Sequence, residues 1–224
     1  MKQILVFIII FFLVYRAILF YLNVTELYEN PTTSSKIKIS NGSICLYKRQ
    51  YDNDSSLLRN TYLYGIPFLS NSIYYHIGII LVDPKLKDEI IKGVYILHYV
   101  YNDYDIINKC KKNGICLTPI EKVEQEIYIR NVKNKSKDIH FNIDLEYLYN
   151  IPKAHMFPSI YDITKKVLEI ENYNRICTSF VHYVLSLSNI KTSTEPLFPS
   201  DFSYYFGEMD FYGIEYEPEI KYCI

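Results

Sequence analysis

IYYHIGIILV, residues 73–82, decides how the rest of the chain is read. It carries no charge, is rich in Ile and Tyr, and is closed by Asp83 and Pro84. A run of that length and composition is a buried strand, because β-branched and aromatic side chains pack well on a pleated surface. GVYILHYVY, residues 93–101, is a second such strand, and a turn at Asn102 and Asp103 is expected to end it. Shorter strands are expected over 115–118 (ICLT) and 126–132 (EIYIRNV), while 139–145 reads as a further strand or a helix start. A helix is expected over 159–170. The clearest helix is 174–188, NRICTSFVHYVLSLS, where Cys177, Phe180, Val181, Val184 and Leu185 form one apolar stripe. Residues 196–206, PLFPSDFSYYF, leave it through two prolines. Strands first and helices last make an α+β domain the expected class.

The chain has 224 residues, 49% of them hydrophobic and 22% charged, which suits one globular domain with a substantial core. It holds 24 Tyr, 7 Gly and no Trp. Abundant Ile, Asn and Lys follow AT-rich codons, as in the genome of a large DNA virus or another AT-rich organism. A formal net charge of −1 gives no basic face for nucleic acid, and the Lys runs at 109–112 and 133–137 read as solvated loops. Five scattered cysteines do not make a disulfide scaffold. Cys110 and Cys116 lack a zinc-ligand spacing and a second pair, so a local disulfide or two free thiols is expected, with no metal and no cofactor.

Residues 4–22, ILVFIIIFFLVYRAILFYL, are as long as a bilayer-spanning helix needs, roughly 20 residues. Arg16 interrupts the run near its distal end, where it could snorkel. Lys2 weakly favours a cytoplasmic N-terminus. A cleaved signal peptide competes, but no small-x-small site follows in AILFYLNVT. The expected organisation is a transmembrane anchor over 1–22, a linker over 23–40 and one domain over 41–224. Asn23, Asn41, Asn53 and Asn134 head glycosylation sequons that would suit a lumenal domain.

Two residues could carry chemistry. Cys177 lies in the first turn of its helix, where free N–H groups and the helix dipole stabilise a thiolate and could serve a tetrahedral oxyanion. His76 sits inside an apolar strand and needs a polar partner there. His98, on the next strand, can share its face. A Cys–His pair with a third polar group behind the imidazole is the logic of nucleophilic catalysis. Against that stands the plain reading, in which a buried Cys at a helix start and a strand His are both core residues. His182, five residues after Cys177, points away from the thiol. His140 has no assigned role, His155 is a spare candidate should His98 lie elsewhere, and Cys223 is incidental.

YYHIGIILVD resembles the His-x-Gly strand of the circularly permuted NlpC/P60, or permuted papain-like, superfamily. VYILHYVYND resembles its next strand and NGICLTPIEKV the stretch after it. NRICTSFVHYVLSLSNI resembles the nucleophile helix and LFPSDFS the proline-containing exit. The order is the family's, His before Cys, over roughly residues 60–205. The resemblance implies a small antiparallel sheet packed against the nucleophile helix. It maps Cys177 to the nucleophile, His76 to the base and His98 to the third polar position, where His is closer to the lecithin:retinol acyltransferase group than to members with Glu.

The expected function is a membrane-anchored thiol hydrolase or acyltransferase acting through a Cys177 acyl-enzyme on a lipid ester, amide or peptide. The rivals are a non-catalytic, membrane-tethered binding domain that keeps the fold, for which the many Tyr residues would suit a surface, and a structural spacer.

Overall fold

The computed structural model describes residues 6–8, 10–15, 17–18, 33–34, 38–48, 70, 72–133, 141, 143–151, 177–207 and 209–222. The strands are β1 (Thr33–Ser34), β2 (Ile44–Lys48), β3 (Tyr74–Val82), β4 (Lys85–Leu86), β5 (Glu89–Ile90), β6 (Val94–Asp105), β7 (Cys110–Pro119), β8 (Ile127–Arg130), β9 (Lys191–Thr192), β10 (Phe211–Tyr212) and β11 (Ile220–Tyr222). Helix α1 spans Leu145–Tyr149 and helix α2 spans Cys177–Leu187. Seven strands form one sheet in the order β1-β11-β8-β2-β3-β6-β7, antiparallel except for the β1–β11 pair. The expected helix at 159–170, the sequons at Asn23, Asn53 and Asn134, His140, His155 and Cys223 lie outside the described residues, as does most of the 23–40 linker.

This architecture corrects the expected class. In place of an α+β domain with a small sheet and an N-terminal transmembrane helix, the described protein is mostly sheet, with few and short helices. The short strands β1 and β11, far apart in sequence, extend the sheet beyond β8 because their backbone groups need partners. Residues 6–8, 10–15 and 17–18 are helical, yet among the described residues no helix is long and apolar enough to cross a membrane.

Two further expectations change in detail. Asn102 and Asp103 do not end the second long strand. β6 runs on to Asp105, and the register with β7 shifts between Val100 and Asp103, so a bulge takes up residues 101–102 and Asp103 pairs again with Lys112. The Lys run at 109–112 lies mostly on β7, where Nζ of Lys112 sits 3.3 Å from Asp105 and 4.3 Å above the Tyr149 ring.

Side chains alternate across a strand, so the sheet has two faces with different contents. Ile44 and Leu46 of β2, Ile77, Ile79 and Leu81 of β3, Leu97 and Tyr99 of β6, and Ile115 and Leu117 of β7 belong to the first core cluster. Phe180, Val181, Val184 and Leu185 of α2 lie in the same cluster, and α2 packs directly on β3 and β6. Burying each of these four side chains stabilises the fold by roughly 1.5–3 kcal/mol before entropy. The alternate residues Cys45, Tyr47, Ile80 and Ile96 form the second cluster with Ile120, Val123, Ile127 and Ile129.

Candidate functional site

The second face carries the imidazoles. Tyr47 pairs directly with His76, and Lys48 pairs with Tyr74, so Tyr75 is the extra residue of a bulge. The bulge turns Tyr75 and His76 toward one side, and Tyr75 packs against the second cluster. One strand further on, His98 pairs with Gly78, which brings it diagonally beside His76. Gly78 is needed for this approach, since a Cβ there would stand 2.5 Å from Cγ2 of Ile96 and 3.1 Å from Cβ of His98.

Nε2 of His76 lies 3.1 Å from Nδ1 of His98, with the ring centroids 5.2 Å apart. The Tyr47 hydroxyl reaches the same Nδ1 at 3.3 Å, and its ring stacks on His98 at 14°. On the far side of His98, Nε2 is 2.9 Å from Oγ1 of Thr118 and 3.4 Å from Oδ2 of Asp103. Thr118 in turn donates its hydroxyl proton to the carbonyl oxygen of Tyr104 at 2.8 Å.

The network is dry. His98 is fully buried and His76 nearly so. Burial pushes the His98 imidazole down to about 3, slightly countered by the charge of Asp105. His76 is held well below the ordinary histidine value by burial and then by the neighbouring His98. Both rings are therefore neutral at physiological pH. Burial raises the Asp103 carboxyl, and the hydrogen bond from the Tyr104 amide and the charge of Lys111 oppose that. The thiols on this face are poor nucleophiles, since burial raises Cys45 strongly and pushes Cys116 up to about 12.

Cys177 is placed differently. It is buried at the first residue of α2 and belongs to the first cluster, with Ile77, Tyr99 and Phe180. The Phe180 ring centroid is 6.1 Å from that of Tyr99, whose side chain points opposite to that of His98 next to it in β6. The structure thus brings His76 and His98 together, and it sets Cys177 across the sheet from both. His182 is half-buried on α2.

Tyr47, Thr118 and Asp103 complete the network and escaped sequence reasoning. Period-two alternation in ICLYK and ICLT would have put Tyr47 and Thr118 on a shared face with the imidazoles. Asp103 was hidden by its reading as a turn residue. Among the described residues no group of His, Cys, Asp and Glu is arranged to hold a metal ion. No protein-family model, curated protein or solved structure matches the chain.

Proposed function

We propose that this chain is a non-catalytic binding domain for a protein partner, in which the buried thiols and imidazoles are parts of the core. One observation carries the reading: the sheet separates Cys177 from His76. A thiol nucleophile and its base must come within hydrogen-bond reach, directly or through small adjustments of an apo structure. Crossing a packed sheet is not such an adjustment.

A surface suited to binding lies elsewhere. Tyr204, Tyr205 and Tyr212 are each more than half exposed, and Tyr204 and Tyr205 meet edge-to-face at 5.3 Å. Arg130 lies 5.9 Å from the Tyr204 ring and 5.5 Å from Phe211. Arg130 is itself buried and donates to the Glu217 and Phe202 carbonyl oxygens, so it holds this surface from beneath, and exposed Tyr is typical of protein–protein interfaces.

Iodoacetamide labelling of the full chain tests the proposal. Cys177 should label more slowly than the exposed Cys110 at about pH 6, and His76→Ala should leave its rate unchanged. Rapid labelling of Cys177 that His76→Ala abolishes would overturn it.

A second reading, the thiol hydrolase or acyltransferase, has one observation in its favour. The Thr178 hydroxyl at the start of α2 and the Tyr99 hydroxyl from the strand below are buried with no partner among the described residues. Unspent donors beside a helix start could bind a carbonyl oxygen. In that reading Cys177 attacks the carbonyl, and His76 removes the thiol proton and returns it to the leaving group. The resemblance to the permuted papain-like superfamily supports it. It also requires the start of α2 to move so that the sulfur meets His76, and the same labelling experiment separates the two readings.

A further inference from the structure

We infer that Thr118 is the positioning residue that fixes the protonation pattern of the two buried imidazoles, leaving Nδ1 of His76 as the basic nitrogen of the network. The inference starts from one hydroxyl proton. Oγ1 of Thr118 is 2.8 Å from the Tyr104 carbonyl oxygen and 2.9 Å from Nε2 of His98. A carbonyl can only accept, so the hydroxyl donates to Tyr104. Oγ1 then has only lone pairs to offer His98, and Nε2 must carry the hydrogen. A bare Nε2 would set lone pair against lone pair at a ring that is itself fully buried. Asp103 acts in the same direction, because its Oδ2 lies 3.4 Å from that nitrogen and accepts when ionised.

A neutral imidazole with Nε2–H has a bare Nδ1. Nδ1 of His98 therefore accepts, and its neighbour at 3.1 Å, Nε2 of His76, must donate. The Tyr47 hydroxyl, 3.3 Å from the same Nδ1, is a second donor to it. With its Nε2 committed as a donor, His76 holds its lone pair on Nδ1. One threonine on β7, anchored to a β6 carbonyl, thus sets which atom of a β3 histidine can accept. Every element packed on the pair contributes: Tyr47 from β2, Tyr75 from β3, Asp103 from β6, and Cys116 and Thr118 from β7. The group that Nδ1 of His76 can take is a neutral hydrogen-bond donor, such as a hydroxyl, thiol or amide N–H. An anion would meet only a lone pair. This holds whether the domain binds or catalyses.

Nitrogen-15 NMR of the histidine rings in the full chain tests the inference, because protonated and bare ring nitrogens resonate in separate regions. The wild-type protein should show both rings as Nε2–H, and Nδ1–H on His98 would overturn the inference without any variant. Thr118→Val keeps the shape and removes the acceptor. It should introduce the Nδ1–H form of His98 and broaden or shift the His76 pattern, while Thr118→Ser restores the wild-type spectrum. A Thr118→Val spectrum identical to wild type would show that Asp103 alone holds the tautomer, and the assignment to Thr118 would fall. Loss of stability alone, without a change of tautomer, would equally refute it.

Discussion

Acidification from pH 7 to pH 5 should destabilise this protein steeply, and the two buried imidazoles supply the reason. Both have folded-state values below the ordinary 6.5, with His98 at about 3. A base whose folded value is depressed contributes stability that is complete above the unfolded value and is lost as pH falls toward the folded one. At pH 5 both rings remain neutral in the fold, whereas the unfolded chain protonates them almost fully. With an unfolded value of 6.5, each ring loses about 1.9 kcal/mol between pH 7 and pH 5, and the pair about 4 kcal/mol. The size of this loss is set by the unfolded chain, so it needs only that the folded rings stay neutral. Domains are commonly stable by about 5–15 kcal/mol, so the fall is large.

Asp103 acts the other way, because burial raises its carboxyl and protonation on acidification relieves the buried charge, offsetting part of the fall. Asp105 and Glu126 are held below their ordinary values, 3.8 and 4.5, so the stability they contribute is present above those values and disappears mainly below pH 5. Urea unfolding of the full chain at the two pH values measures the difference. His98→Gln removes one titrating ring, and the pH 7 to pH 5 loss should shrink by about 2 kcal/mol whatever the variant's own stability. A wild-type stability that is flat from pH 7 to pH 5, or a His98→Gln variant with the full wild-type loss, would refute the reasoning.

Two substitutions probe the packing that positions the network. Gly78→Ala forces a methyl group to within 2.5 Å of Ile96, and should cost about 1–3 kcal/mol in urea unfolding while shifting the His98 ring signals. Asp105→Asn should cost about 1–3 kcal/mol as well. The buried carboxylate accepts from the Leu117 amide at 2.9 Å, the Tyr149 hydroxyl at 2.5 Å and the Asn108 amide at 3.1 Å, and an amide side chain would turn an NH2 toward some of these donors. Its loss should be greatest above pH 4, where the native carboxylate is charged, and should fade as pH falls.

Much of this arrangement is legible in the sequence, and the exceptions share a cause. β3, β6 and α2 follow from apolar runs and a 3.6-residue stripe, with ends displaced by at most four residues. The closeness of His76 and His98 follows from neighbouring antiparallel strands. The face they share does not. IYYHIGIILV is buried on both sides, so its apolar run is continuous and carries no alternation to show which residues look toward α2. Phase is then decided by the bulge at Tyr75 and the pairing of Gly78 with His98, both properties of the partner strands. A slip of one residue would have put His76 on the side of Cys177. The extent of the sheet was hidden for another reason: β1 and β11 are two and three residues long, too short for any period to register.

The separation of thiol and imidazole by the sheet can be measured at His76 itself. Its ring signals, followed by NMR from pH 8 to pH 5 in the wild-type chain and in Cys177→Ser, should give superimposable curves with the ring neutral throughout. A midpoint near neutrality in the wild type that moves when the sulfur is removed would mean the two side chains meet, and would contradict the binding-domain reading.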